Sequence, residues 1–455
     1  MKKNDIYLFF SSKGLILIIL LAFIIRMAFF VSLQPWNNEV VNKTIIVSDA
    51  TGYHKLALSM LSEKSFVDFD AFRTPGYPIF VALIYGISSG SVWLVLIFQI
   101  LLNLVSVVFV YKIAALIFPC KIALISAFLF AIDVHQTLYA VELLTDSLFV
   151  FLFLVSIYYL CKCIIENKFL SICLSALFLG VATLVRPISF LFPVATVISI
   201  LAISMAKLKM KSVYSLMFIM LFFATISPWL LHNYSKYGEA KLSSISGSNL
   251  LFYNAAYTEV YKTGKTIEEV RKDFNDLAIK QGIDAANRYS FKNSQIYSNI
   301  AKQYIKDNFV LYCKRHIMGI VNMFANLDTQ GITSIFHLQS KPTNIDIAGG
   351  PGIFTIIIDF FHGKTKAEIF IAFILGFYLL INYLFSLFGI FHLIRKKEKL
   401  VFLFILIILY FSAITGVVGV ARYKIPFMPF INILCAVTLF HFYDKIVDKL
   451  SQVKN

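Results

Sequence analysis

The chain has 455 residues, of which 59% are hydrophobic and only 15% charged, with a formal net charge of +16. So little polar surface excludes a soluble protein of this length. The basic excess lies in short loops between apolar runs, without a basic stripe carrying interleaved aromatics, so no nucleic acid is expected as a partner and membrane lipid takes its place.

The expected fold class is an all-α polytopic membrane protein with roughly ten transmembrane helices. Juxtamembrane helices and a small, mostly helical extracytoplasmic region complete it. The first apolar run, 15–33, follows Met1-Lys2-Lys3 without a small-residue cleavage site, and it is long enough to span. It is read as a retained first helix. An outer loop, 34–91, follows, and its short apolar segment 77–88 is read as a partly inserted helix. Spans are expected at 92–117, 121–138, 143–164, 168–185, 188–206 and 212–231.

Residues 232–366 form the one sizeable polar region. In it Thr266-Ile267-Glu268-Glu269 is a capping-box signature, and helical patterning runs to about 281 and from 284 to 307. The stretch 308–326 is apolar but carries Lys314, Arg315 and His316, as an interfacial helix does. Gly349-Gly350-Pro351-Gly352 reads as a turn, and the run 353–361 is too short to span alone. The last spans are expected at 367–394, 399–418 and 424–443. Three units result: an N-terminal transmembrane module, 1–231, with the long outer loop 34–91; the extracytoplasmic region 232–366; and C-terminal helices, 367–455.

Under this topology Lys2, Lys3, Lys13, Lys112, Lys121, Lys162, Lys168, Lys207, Lys209, Lys211 and Arg395–Lys399 fall on one side, with both chain ends. That side is expected to be cytoplasmic. Trp36, Trp93 and Trp229 fall at the opposite interface. The expected setting is the bacterial inner membrane, with the ionisable clusters of the non-cytoplasmic side facing the periplasm or the extracellular space. The six cysteines, with no metal spacing, are read as packing residues.

Four polar clusters fall at the outer ends of apolar segments, where ionisable groups are costly and usually functional. Asp49, in Ser48-Asp49-Ala50-Thr51-Gly52-Tyr53, suits either a proton acceptor or a helix N-cap. His54 stands five residues on. In Arg73-Thr74-Pro75-Gly76-Tyr77-Pro78 the prolines fix the backbone and Gly76 permits a sharp turn, aiming Arg73 at a phosphate or at lipid. Glu142 and Asp146 lie one helical turn apart, just after Asp133 and His135, and suit a metal, a sugar or a solvated turn. Arg186-Pro187 breaks an apolar stretch. Arg422-Tyr423-Lys424 opens the last span from outside, where cations run against the positive-inside bias and favour a phosphate. No Walker loop, dinucleotide fingerprint or nucleophile elbow is present.

Taken in order, these motifs resemble the membrane-integral C-type glycosyltransferases, in the branch that contains protein O-mannosyltransferases and lipid A aminoarabinose transferases. The resemblance is carried by Asp49 with Tyr53, Arg73-Thr-Pro-Gly-Tyr-Pro78, Glu142-Leu-Leu-Thr145, Arg186-Pro187, Pro228-Trp-Leu-Leu-His-Asn-Tyr234, Gly247-Ser-Asn249 and Arg422-Tyr-Lys-Ile-Pro426. It implies a sugar donor on a polyprenyl phosphate, a glycan, lipid or protein acceptor, and an inverting transfer. By the same resemblance Asp49 is the general base, and Arg73, Arg422 and Lys424 hold the donor phosphate. Tyr53, His54, Tyr77, Glu142, Arg186, Asn249 and Tyr423 would line the substrate cavity. No certain cofactor is implied, with a divalent metal as the open alternative. The protein mannosyltransferases usually carry Asp-Glu in the first loop, where this chain has Asp49-Ala50. A flippase or transporter of lipid-linked sugars and a polysaccharide polymerase are the competing readings.

Overall fold

The computed structural model describes residues 3–62, 71–284, 287, 290–338 and 364–453, and among these every regular element is a helix. Five helices are long and apolar enough to cross a membrane: Ser12–Leu33, Val92–Ala115, Asp146–Glu166, Leu208–Tyr237 and Lys366–Arg395. Shorter apolar helices accompany them at Cys120–Ala131, Phe169–Val185, Pro187–Ile203 and Leu400–Ile414. The helix Met428–Val453 ends the described chain and packs along Lys366–Arg395. The protein is an all-α polytopic membrane protein.

Helix Asp146–Glu166 is the axis of the bundle. Its most apolar window is 72% buried, against 22–44% for the other four long helices. It packs between Val92–Ala115 and Phe169–Val185. Ser156 donates to the Ser175 carbonyl at 2.8 Å, so small side chains let two of these backbones approach closely. On another side Phe153 meets Phe192 and Phe411 edge-on, with centroids 5.1 and 5.2 Å apart.

The apolar run 121–138 is not one helix. It stops at Ala131, and Asp133 opens a second short helix, Val134–Leu138, by accepting from the His135 and Gln136 amides at 3.0 and 3.3 Å. An aspartate that satisfies orphan N–H groups starts a helix, which hydropathy alone does not register. The freed carbonyl of Ala131 accepts from the guanidinium of Arg26 at 2.7 Å, and Asn103 Oδ1 accepts from it at 2.8 Å. Arg26, wholly buried in the first long helix, thus caps a helix end inside the bundle. Arg26→Leu is expected to cost about 1–3 kcal/mol, the usual range for a hydrogen bond from a charged donor and the acceptor it strands. A lowered unfolding midpoint in detergent, with Arg26→Lys only partly recovering it, is the check.

The central helix begins at Asp146 rather than 143, leaving 139–145 as turns at its outer end. The 13-residue helix Gly76–Ser88 is about 20 Å long, too short for a hydrocarbon core of about 30 Å, as expected of a partly inserted element. Trp36 and Trp93 are exposed, whereas Trp229 is buried and donates to the Leu242 carbonyl at 2.7 Å, so it locks the chain after its helix rather than anchoring an interface. The capping box at Thr266 is present, and Val270, Phe274, Tyr297 and Ile300 form a small second core in the outer region. The expected interfacial helix is Phe309–Ala325: Gly319 and Met323 face inward, while Val310, Ile317 and Val321 are exposed. The turn at 349–352 and the run 353–361 lie outside the described residues.

Candidate functional site

Asp49 is the first residue of helix Asp49–Ser62. Its carboxylate accepts from Arg73 Nη2 at 3.0 Å and from Arg422 Nη1 at 3.1 Å, so the carboxylate serves arginines rather than an N-cap. Arg73 is held from two sides. Its guanidinium lies 4.3 Å from the centre of the Tyr53 ring, and the next residue, Thr74, donates to the Val185 carbonyl at 3.4 Å. A Cβ on Gly76 would come within 2.7 Å of the Leu184 carbonyl. Gly76 therefore serves close approach between two helix ends rather than the sharp turn expected from its sequence. The Arg73 segment is thereby clamped against the Arg186-Pro187 break.

Asp146 opens the central helix, where the helix dipole favours a negative charge. It accepts from Arg422 Nε at 2.7 Å and from Arg186 Nη1, while Arg422 Nη2 reaches Thr145 Oγ1 at 3.3 Å. The result is a continuous row: Arg73, Asp49, Arg422, Asp146, Arg186. Three guanidiniums alternate with two carboxylates, an excess of one positive charge. Asp146 is wholly buried and the arginine side chains are 11–17% exposed, but the Asp49 side chain is 45% exposed. Asp49 is therefore the member of the row open to a substrate. Burial pushes its carboxyl up, and the Arg73 and Arg422 guanidiniums outweigh that and hold it below its ordinary value.

Asp49 and Arg422 line a cavity of about 210 Å³ between the first outer loop, the segment 141–144 and the helix Thr329–Ile335. Glu142 lines it too. Its backbone carbonyl is fixed by Gln99 Nε2 at 2.6 Å, and Gln99 Oε1 accepts from Tyr77 at 2.6 Å. Burial, and then the nearby Asp328 carboxylate, push the Glu142 carboxyl up to about 8, with Arg422 pulling the other way.

Most of the residues singled out from sequence meet here. Tyr53 supports Arg73, Tyr77 holds the Gln99 strut and packs edge-on against Tyr53 with centroids 4.9 Å apart, and the Arg186 guanidinium lies 6.0 Å from the Tyr423 ring centre. Three do not join them. Lys424 is fully buried and donates to the Asn326 carbonyl at 2.5 Å, on the side where Asp133 and Asp328 act on it. One residue after Arg422 in a tight helical turn, Tyr423 separates them, so the two cations point apart. His54 pairs with the Tyr85 hydroxyl at 2.8 Å, because helix geometry carries it away from Asp49. Asn249 sits on an exposed helix face, and its neighbour Gly247 is a packing contact whose Cβ would fall 2.0 Å from the Ser294 carbonyl oxygen.

The sequence pairs Asp146 with Glu142 one helical turn apart and leaves it open between a ligand and a solvated turn; its ion pairs with Arg186 and Arg422 emerge only in the fold. Asp328 was missed. It adopts a left-handed conformation, φ 53°, before helix Thr329–Ile335 and accepts from the Tyr139 hydroxyl at 2.6 Å. No sequence pattern ties it to Tyr139, 189 residues away. Among the described residues no three His, Cys, Asp or Glu side chains gather as a metal site.

Residues 73–232 match the family model described as dolichyl-phosphate-mannose-protein mannosyltransferase. Among solved structures, the chain is similar to the archaeal oligosaccharyltransferase AglB from Archaeoglobus fulgidus in complex with an inhibitory peptide and a dolichol-phosphate. That match has a TM-score of 0.54 and 13% identity, covering 98% of this chain and 52% of that one. The same oligosaccharyltransferase tethered to an acceptor peptide gives a TM-score of 0.56 at 12% identity, covering 96% and 50%. ArnT from Cupriavidus metallidurans in the apo state gives 0.42 at 10% identity, covering 94% and 77%. The chain thus spans about half the length of the oligosaccharyltransferases whose fold it shares. No curated protein sequence matches it. The resemblance to C-type glycosyltransferases drawn from the motifs is borne out.

Proposed function

We propose that this protein is a membrane glycosyltransferase that moves a sugar from a polyprenyl-phosphate donor to an acceptor on the outer face of the membrane, inverting the anomeric carbon, with Asp49 as general base. The observation that carries the reading is the row Arg73–Asp49–Arg422–Asp146–Arg186, with its surplus cation and its one accessible carboxylate beside a cavity. The family model over 73–232 and the fold shared with an enzyme solved with dolichol-phosphate support the donor class. The lysine-rich loops support a cytoplasmic placement of both ends and an outward-facing site; a bacterial inner membrane is the proposed setting.

The donor's lipid tail lies against the bundle and its phosphate meets Arg73 and Arg422. Asp49 takes the acceptor's proton. The acceptor oxygen or nitrogen bonds to the anomeric carbon as the bond to the phosphate oxygen breaks, and the electron pair leaves on the phosphate. Preoriented guanidiniums stabilise that charge best in the transition state. Without donor, the same guanidiniums neutralise Asp49 and make it a weak base. A bound phosphate competes for them and loosens their hold, so the carboxylate gains basicity when there is something to attack. This chemistry makes no demand for a resident metal.

The direct experiment incubates the purified protein in sealed proteoliposomes with labelled polyprenyl-phosphate sugars and a panel of glycan, lipid and peptide acceptors. Label on an acceptor supports transfer. Label that crosses the bilayer still attached to its lipid would replace the reading with a flippase. Because Asp49 is held below its ordinary carboxyl value of 3.8, its folded-state charge persists as pH falls to that value and is lost only below it. Donor-free Asp49 is therefore expected to remain ionised at pH 4, read by infrared carboxylate bands that Asp49→Asn removes.

A further inference from the structure

Glu142 shares the cavity with Asp49 and Arg422, yet its charge is unanswered. Asp49 has two guanidiniums and Asp146 has two, whereas among the described residues no cation lies within ion-pair distance of the Glu142 carboxyl. The charged and titratable groups around it are Asp49 across the cavity, Asp328 and Tyr139 behind it, Asp146 at the central helix and Arg422 alone as a cation. An ionised Glu142 would cancel the row's one surplus positive charge in the chamber that is to receive a phosphate. Its backbone carbonyl is held at the cavity wall by Gln99.

Resting on the donor class proposed above, we propose that Glu142 is a phosphate-contacting acid: with its proton on, its carboxyl donates a hydrogen bond to an oxygen of the donor phosphate held by Arg422, and with its proton off it repels that phosphate. No bond to Glu142 forms or breaks and no proton need be transferred. A protonated carboxyl is a donor where an ionised one is acceptor-only, which lets an acidic residue recognise an anion. The upward push that Glu142 receives from burial and from Asp328 keeps the acid form present at neutral pH. Lys424 lies outside the cavity, so its effects are separable from those of Glu142 by substitution.

The test measures binding of labelled polyprenyl monophosphate to the full-length protein in nanodiscs between pH 7 and 9.5. A phosphate monoester has completed its second ionisation (pKa of about 6) before this window, so the probe's charge is nearly constant across it. Wild type is expected to lose at least about tenfold in affinity as Glu142 ionises, each tenfold step being about 1.4 kcal/mol. Glu142→Gln keeps a neutral donor. It should bind like wild type at pH 7 and lose less than about threefold by pH 9.5. In Asp328→Asn the anion that helps retain the proton is gone, and the affinity loss should move to lower pH. A Glu142→Gln protein that loses affinity in parallel with wild type, or that no longer binds at pH 7 while unfolding at the wild-type midpoint, overturns the assignment and leaves the donor class standing. Wild type that binds no polyprenyl phosphate at any pH overturns both.

Discussion

Asp49→Asn abolishes sugar transfer, by at least about 10²–10⁴-fold in kcat, the range a general base contributes, while donor binding holds or tightens. The substitution is nearly isosteric and the side chain is half exposed, so little packing is lost. Its chief physical effect is to release Arg73 and Arg422 from a carboxylate and to remove the proton acceptor at the cavity wall. Freed guanidiniums should bind a phosphate at least as well. A split between kcat and donor KM is therefore expected, with the first falling and the second not rising. A positional anchor would behave otherwise: both parameters would worsen together, with the unfolding midpoint. Turnover at the wild-type rate in the Asp49→Asn protein would remove Asp49 from the chemistry.

Arg422→Lys lowers kcat by about 10²–10³-fold, as loss of one preorganised transition-state contact commonly does, and raises donor KM as well. Arg422 bridges Asp49 at 3.1 Å and Asp146 at 2.7 Å through different nitrogens, a reach that a single ammonium cannot reproduce. With lysine in its place at least one carboxylate loses a partner. For wholly buried Asp146 such a loss costs about 3–5 kcal/mol if Arg186 does not compensate, so Arg422→Ala is expected to be poorly folded and Arg422→Lys is the informative variant. Lys424→Met is the control. The buried ammonium of Lys424 faces the Asn326 carbonyl away from the cavity, so its loss should lower the unfolding midpoint and leave donor KM near the wild-type value. A rise in donor KM in Lys424→Met that matches the rise in Arg422→Lys would restore Lys424 as a phosphate contact.

Much of the site was legible because its residues break local rules. A carboxylate or arginine at the end of an apolar run is anomalous within its own segment, and Asp49, Arg73, Glu142, Arg186 and Arg422 were all visible that way. Arg26 was not singled out, since one arginine in a long apolar run carries no sign of the Ala131 carbonyl it serves 105 residues away. The split of 121–138 was hidden for a related reason. Hydropathy averages over Asp133, whereas a helix end depends on which side chain satisfies a few orphan amides. His54 falls outside the site because proximity in sequence does not carry through a helix to proximity in space, and Asn249, which enters only by the motif resemblance, sits on an exposed helix face.

The amino-acid sequence alone determined that this chain is a helical membrane protein and which ionisable side chains reach the bundle ends, because hydrophobicity and charge act within single segments. Only the tertiary structure decided that Asp49 and Arg422, 373 residues apart, share a hydrogen bond, that Asp146 is the buried hub, and that Lys424 turns away. Pairings of that kind are selected by which helix ends pack together and by the cost of leaving a desolvated charge without its counterpart. That cost belongs to the folded assembly and to no segment within it.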